Sequence, residues 1–427
     1  MPCDPIHNFS PFMPRSRGVS KSFTLLELLI VIGIIAVLGS VTFIALNPVE
    51  TLRASRDTQR FSDLDALNKS INMAVIENTS ASLGTASTVY VSLSDASATC
   101  ASWSLPTLPT GWAYHCAASS TYTMTDGTGW LPVNLAALST GSPVSHDPLD
   151  PTNDQNHYYQ YVPNPNATTW ELASVMESSK YKMGGPNDKT STDGGQNLGL
   201  YEKGTDLTLV PVDSGDTSLV GWWPLNEGSG TVAIDRSGKG NNGNWAGTPA
   251  GDNGTYYTTS NGKTVGKFDG SDDFIDNGTN SILGTHPFTL SSWIQNNAST
   301  TYMLALYVGD ASSGKAAWLG YCYNAQAGVA NTLGGGFYGT NYGSGIAANN
   351  TWHLVTLSFN GSVVNLYSDG ILKVASSFSP NLVNNSVILG KANTGAPYYF
   401  DGSARDARIY NRALSAPEIQ AIYSATR

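Results

Sequence analysis

Lys21 to Leu46 reads KSFTLLELLIVIGIIAVLGSVTFIAL, nearly all hydrocarbon, with a single carboxylate, Glu27, close to its start. From Leu28 to Leu46 no side chain is charged. At about 1.5 Å of rise per residue this run approaches the roughly 30 Å of a bilayer's hydrocarbon core. A carboxylate drawn into that zone costs roughly 2.5–3.5 kcal/mol, so Glu27 needs a partner. Arg15, Arg17 and Lys21 give the preceding residues a basic character. A secretory signal would combine those charges with a shorter apolar core and a cleavage site after it, for which VLGS (Val37–Ser40) is the available sequence. A plain membrane anchor fits the length and leaves Glu27 unexplained.

Working outward, Pro48 is expected to kink the helix, because its ring and missing N–H disrupt one turn. Beyond it Phe61, Leu64, Leu67, Ile71 and Val75 recur at three- and four-residue steps, with Arg53, Arg56, Asp57, Arg60 and Asp63 on other faces. This predicts the amphipathic second half of one long helix over 23–80, its stripe docked on a small sheet. From 81 to 210 short β-rich runs (TVYVSL, YYQYV, TWELASVM) alternate with Pro, Gly and Asn clusters. PVDSGDT, 211–217, reads as a linker, and glycine-punctuated strands occupy 218–427, with Asp369-Gly370 as a tight hairpin turn. LSAPEIQAIY is expected to be a short helix, with Ser415 as cap, Pro417 in the first turn and Glu418 closing a capping box.

Charged residues make up 13% of the 427 and the net charge is −10. A surface that is polar without being ionic suits an extracytoplasmic setting. The absence of a basic patch argues against nucleic acid as a partner. Cys100 and Cys116 bracket a short loop, and an oxidising location favours their pairing, worth about 3 kcal/mol in the chain-entropy model. Cys322 reads as a buried thiol.

The opening stretch FTLLELLIVIGIIAVLG resembles the N-terminus of type IV pilins and type II secretion pseudopilins. The resemblance implies a leader, 1–22, removed by a prepilin peptidase between Ser22 and Phe23, although the family usually has Gly where this chain has Ser22. It further implies methylation of the new amine on Phe23, which Glu27 neutralises within the subunit or on a neighbour during assembly. The helix would sit in the inner membrane first and in the core of an extracellular filament later, with other pilin subunits as partners. The elements WLPVNLAAL, HDPLDPTNDQNHYYQYV and SKYKMGGPNDKTSTDGGQNLGLYEKGTDLTL look like a pseudopilin head. Their Gly/Asp-rich loop implies calcium, with Asn187, Asp188, Asp193 and Asp206 as oxygen ligands; the alternative is that these residues only make turns.

LVGWWPLNEGSG, DRSGKGNNG, KFDGSDDFIDNG, FTLSSWIQ, WHLVTLSFNGSVVNLYSDGILK and FDGSARDARIYNRALSAPEIQAIY resemble, in order, the laminin-G-like family of concanavalin A-like jelly rolls. The expected fold is therefore an α+β pilin, a long helix packed on a small antiparallel sheet, followed by an all-β jelly-roll sandwich. The resemblance implies calcium at Asp235, Asn242 and Asp406, each of which also reads as a turn former or strand-end hydrogen bonder. Asp269, Asp272, Asp273 and Asp276 are read as setting a turn. Trp318, Tyr321, Tyr323, Tyr338, Tyr342, Tyr398 and Tyr399 lie in variable segments, where exposed aromatics stack on sugars and buried ones fill the core. Glycoside hydrolysis needs a carboxylate pair, and Glu227 and Glu418 are the glutamates of this region, so no enzyme is expected. The functional expectation is a filament subunit for adhesion to a glycan or protein. The alternatives are a pseudopilin with a structural or cargo-binding C-terminal domain, and a membrane-tethered lectin that does not polymerise.

Overall fold

Apolar spacing, turn residues and caps divide the chain into three helices and twenty-one strands among the described residues. The computed structural model describes residues 24–78, 80–278, 284–296, 302–322, 332–383, 386–395 and 398–427, and only the backbone of 40–46 and 322. Ser22, Phe23 and Tyr323 lie outside them.

The N-terminal unit, residues 1–52, contains α1 (Leu25–Leu46). Thr24 and Glu27 form a capping box here: Glu27 N donates to Thr24 Oγ1 at 3.2 Å, and Thr24 N and Oγ1 donate to Glu27 Oε2, both at 2.9 Å. The signal Thr-x-x-Glu was present in the sequence, and Glu27 thus has a local partner besides the amine that the resemblance implies. Leu25, Leu26 and Leu28–Ile32 are all at least 47% exposed. Among the described residues no helix is long and apolar enough to cross a membrane, and the last seven side chains of α1 lie outside that set. Asn47 ends α1 in the left-handed region, and Pro48 opens α2 (Pro48–Glu77), where its missing N–H disturbs nothing.

In the second unit, 53–427, the head strands are β1 (Thr88–Ser94), β2 (Ala113–Ala117), β3 (Tyr159–Asn164), β4 (Thr169–Val175) and β5 (Leu200–Gly204). They pair in the order β2-β1-β3-β4-β5, antiparallel except for the parallel β1–β2 pair. Of the predicted stripe of α2, Leu64, Leu67 and Ile71 pack with Tyr159, Tyr161, Trp170 and Leu172, with Val75 partly buried against them and Phe61 edge-on to Tyr201; Ala74 joins this core. Cys100 and Cys116 form a disulfide with Cα atoms 5.2 Å apart, buried on the other side of the sheet.

Asp57 and Arg60, which the sequence places off the apolar stripe, are fully buried. The Arg60 guanidinium reaches both Asp150 oxygens at 2.6 and 2.7 Å, Asp57 at 2.8 Å and Glu177 at 2.6 Å. Arg56 binds the same Glu177 carboxylate. Burial alone would push the Glu177 carboxyl up, but the hydrogen bonds from Arg56 and Arg60 outweigh it and hold the group down at about 2.

The remaining strands are β6 (Leu219–Trp223), β7 (Val232–Ala233), β8 (Gly243–Ala246), β9 (Tyr257–Ser260), β10 (Lys263–Asp269), β11 (Phe274–Asp276), β12 (Phe288–Gln295), β13 (Met303–Gly309), β14 (Ala316–Cys322), β15 (Thr332–Phe337), β16 (Thr340–Ala347), β17 (His353–Phe359), β18 (Val363–Ser368), β19 (Ile371–Ser377), β20 (Val387–Leu389) and β21 (Asp401–Tyr410), followed by α3 (Ala416–Thr426). One sheet runs β19-β18-β17-β12-β21-β10-β9, with β6 also on β21, and the other runs β16-β15-β14-β13-β20-β11-β8-β7. Their facing side chains, including Phe288, Leu290, Leu319, Phe337, Val355, Leu357 and Phe359, form one core. Asp369 and Gly370 both have positive φ in the β18–β19 turn, as the Asp-Gly pair predicts. The α3 capping box between Ser415 and Glu418 is formed. Residues 211–217, expected as a linker, are packed: Val212 and Asp213 are buried, and Asp213 accepts the Gly199 and Gly215 N–H groups.

Arg60→Ala would leave three carboxylates without their buried cation and is expected to cost about 3–5 kcal/mol at neutral pH. Because the folded Glu177 binds its proton only near 2 against 4.5 when free, its stabilising contribution is complete above 4.5 and is lost as pH falls toward 2. Denaturant titrations should therefore show the deficit of the variant narrowing over that window.

Candidate functional site

Strand β13 reads MLALYVG, and strict alternation would put Leu304 and Leu306 on one face of the sheet. The ladder to β14 shifts register between those residues, so a bulge resets the alternation. Met303, Ala305, Leu306 and Val308 point into the core, whereas Leu304 and Tyr307 join Ala316, Trp318 and Ala392 in a separate cluster on the opposite face. Tyr307 lies across from Trp318, Trp318 from Gly336, and Gly336 from Asn341, so one row crosses four strands with a missing side chain beside the indole. Gly336 has to be glycine, because a Cβ there would fall 2.3 Å from the Thr340 carbonyl oxygen.

Along this row lies a groove of about 490 Å³ lined by Tyr302, Tyr307, Trp318, Tyr338, Asn341 and Tyr398, among others. Tyr302 meets Trp318 and Tyr398 edge-on, with centroids 6.4 and 5.7 Å apart, and its hydroxyl accepts a hydrogen bond from Asn341 Nδ2 at 3.0 Å. Tyr338 and Tyr398 form the accessible rim at 40% and 38% exposure, and Tyr398 is held at φ +46°. The Tyr307 hydroxyl is buried without a hydrogen-bond partner, and burial first, then the charge of Asp310, pushes its pKa up. None of the described lining residues is charged. Such a site offers aromatic faces and a few neutral donors and acceptors, which suits binding.

Of the aromatics singled out in the sequence, the structure brings Trp318, Tyr338 and Tyr398 together. Tyr321 and Tyr342 are in the core between the sheets, because each lies at the opposite parity on its strand from the groove residues. Tyr399 stands apart, near Lys391. Tyr302, Tyr307 and Asn341 were missed; their spacing relative to Trp318 depends on the β13 bulge and on strand pairings that no local pattern displays.

Most of the calcium ligands implied by resemblance hold hydrogen bonds within the protein, whereas Asp406 Oδ2 is buried without one. Asp235 is buried and receives hydrogen bonds on both oxygens, from Trp222 N and Ser237 N on Oδ1 and from Ser237 Oγ and Asn241 N on Oδ2, at 2.8–2.9 Å. Asn242 Oδ1 accepts from Asp235 N at 2.8 Å. Asp406 has φ +53° where β21 bulges against β12 between Ser291 and Trp293. Its Oδ1 accepts from Trp222 Nε1 at 2.6 Å and Arg408 Nε at 2.9 Å, beside a guanidinium that disfavours a second cation. In the head loop, Asn187 is exposed. Asp188 accepts from Gly184 N and Ser191 N, Asp193 from Gly195 N and Glu202 N, and Asp206 from Thr208. These are turn-forming bonds, the alternative reading of this loop.

A family model described as the concanavalin A-like lectin/glucanases superfamily matches residues 268–420. This agrees with the two-sheet sandwich, and that segment is a concanavalin A-like jelly roll. No curated protein matches the chain. Among solved structures, domain 4 of an extracellular arabinanase from Geobacillus stearothermophilus, in complex with arabinotriose, is 19% identical with a TM-score of 0.38, covering 49% of this chain and 98% of that one. A Trypanosoma rangeli sialidase is 16% identical, TM-score 0.36, covering 49% of this chain and 32% of its own. The binding domain of Paraclostridial mosquitocidal protein 1 is 14% identical, TM-score 0.35, with 48% and 52% covered.

Asp235→Ala removes the acceptor of several buried donors and should destabilise the chain by roughly 1–3 kcal/mol. Thermal melts with and without calcium are expected to give the same loss.

Proposed function

We propose that the chain is a filament subunit of the pilin type that displays a lectin-like domain, and that this domain binds carbohydrate without cleaving it. The observation that carries the binding reading is the groove: two exposed tyrosines, Tyr338 and Tyr398, beside Trp318 and Tyr302, with no charged side chain among the described lining residues. A sugar ring presents an apolar C–H face and a rim of hydroxyls, and aromatic platforms with sparse neutral hydrogen-bonding groups complement both. The glutamates of the domain act elsewhere: Glu227 accepts from Ile234 N and Glu418 closes the α3 capping box. This supports binding rather than hydrolysis.

The filament reading is supported by the sequence resemblance of the N-terminus and by an apolar α1 whose described side chains are exposed, a surface that calls for lipid or neighbouring helices. On this reading prepilin peptidase removes 1–22, the helix rests in the inner membrane before assembly, and the jelly roll projects from the cell surface toward a glycan or protein.

A glycan array probed with the detergent-solubilised full chain tests the binding half. Tyr338→Ala and Tyr398→Ala are each expected to weaken a hit by about 0.5–1.5 kcal/mol of aromatic contact while leaving the melting temperature near wild type. Wild-type binding by both variants would remove the groove from the reading.

For assembly, Glu27→Gln keeps a side chain able to close the capping box but loses its charge, whereas Glu27→Ala loses both. Filament yield should fall in both variants if Glu27 neutralises an amine. Retention of assembly in Glu27→Gln alone would assign the residue to helix capping instead.

A further inference from the structure

Between β10 in one sheet and β11 in the other the chain crosses over through Asp269-Gly270-Ser271-Asp272-Asp273. Carboxylate oxygens of Asp269, Asp272 and Asp273 lie within 4.8 Å of one another. Two of these residues have structural work. Asp269 Oδ1 accepts the N–H groups of Ser271, Asp272 and Asp273 at 2.7, 3.1 and 3.3 Å, and Asp272 accepts from Thr248 N at 2.8 Å and Thr248 Oγ1 at 3.1 Å. Asp273 differs: it is 0% exposed and neither of its oxygens has a hydrogen-bond partner.

A buried carboxylate with both oxygens unbonded, beside two further carboxylates, is a costly arrangement unless something fills it. A proton on Asp273 would cancel its charge but leave its O–H and the other oxygen without partners. The Lys267 ammonium is turned to Asp401, 3.7 Å away. Calcium takes six to eight oxygens at about 2.3–2.6 Å, so oxygens on opposite sides of one ion are up to roughly 4.6–5.2 Å apart, which matches the span of this cluster. The surrounding backbone allows the approach: a Cβ on Gly247 would fall 2.8 Å from Asp272 Oδ1, and one on Gly390 would fall 3.0 Å from the Asp273 carbonyl oxygen.

We propose that Asp269, Asp272 and Asp273 hold a hard divalent cation of calcium's size at the crossover between the two sheets. The ion joins the end of β10, the start of β11 and, through Asp272 and Thr248, the segment after β8. None of the three aspartates lines the aromatic groove.

The test uses the full chain in detergent after chelation, with terbium as the probe and calcium as competitor. Tyr256 stacks on Trp245 with centroids 4.7 Å apart, and its phenol feels the charges of Asp272 and Asp273, so an aromatic antenna lies beside the site. Sensitised terbium emission displaced by calcium, together with a calcium-dependent rise in melting temperature, is the expected result. Asp273→Asn should remove both signals, and Asp272→Asn, a less buried position kept as a second variant should the first fail to fold, should lower calcium affinity by at least roughly the tenfold that even an outer-shell loss costs. Asp193→Asn in the head loop should change neither signal. Absence of any calcium effect on wild type, or equal calcium response in wild type and Asp272→Asn, would overturn the assignment.

Discussion

A single buried cation organises the head. Arg60 on α2 is surrounded by Asp57 from its own helix, Asp150 from the loop before β3 and Glu177 from the residues after β4. A guanidinium is planar, always charged and carries five donors, so it can bridge three carboxylates where a lysine could satisfy fewer. Asp57 closes the ring by accepting the backbone N–H groups of Glu177 and Ser178. The apolar stripe of Leu64, Leu67 and Ile71 supplies the area by which the helix adheres to the sheet. The ion network adds a positional requirement, because any register slip of α2 would strand a desolvated charge.

In the jelly roll the corresponding constraint is geometric. A flat alternating ladder would send successive residues of β13 and β21 to opposite faces without exception. Bulges break that rule twice, once to place Leu304 and Tyr307 together on the outside, and once to set Asp406 beneath Trp222. Glycines then do by omission what side chains cannot: Gly336 leaves the gap that Trp318 borders. The groove therefore follows from interrupted alternation more than from any one motif.

Much of this was legible in the sequence, where the signal was local. The α2 stripe, the Asp369-Gly370 hairpin, the Ser415–Glu418 capping box and the Cys100–Cys116 bond each lie within a short window whose physics is complete on its own. Thr24 and Glu27 carry the three-residue spacing of a capping box, a signal as local as the others. The burial of Arg60 was not legible, since its partners lie 90 and 117 positions away. The assignment of Tyr342 to the core and Asn341 to the groove depends on parity along a bulged strand pair, and an aromatic residue gives no sign of which face it takes. Asp273 looked like one more turn-forming aspartate; only burial of both its oxygens distinguishes it from Asp269.

The proposed reading names a position for the ligand as well as a chemistry, so the most direct measurement is a crystal structure of the chain with an oligosaccharide that it binds in solution. A sugar ring lying against Tyr338 or Tyr398 is the expected density. A sugar ordered at any other surface while the groove holds only solvent would contradict it.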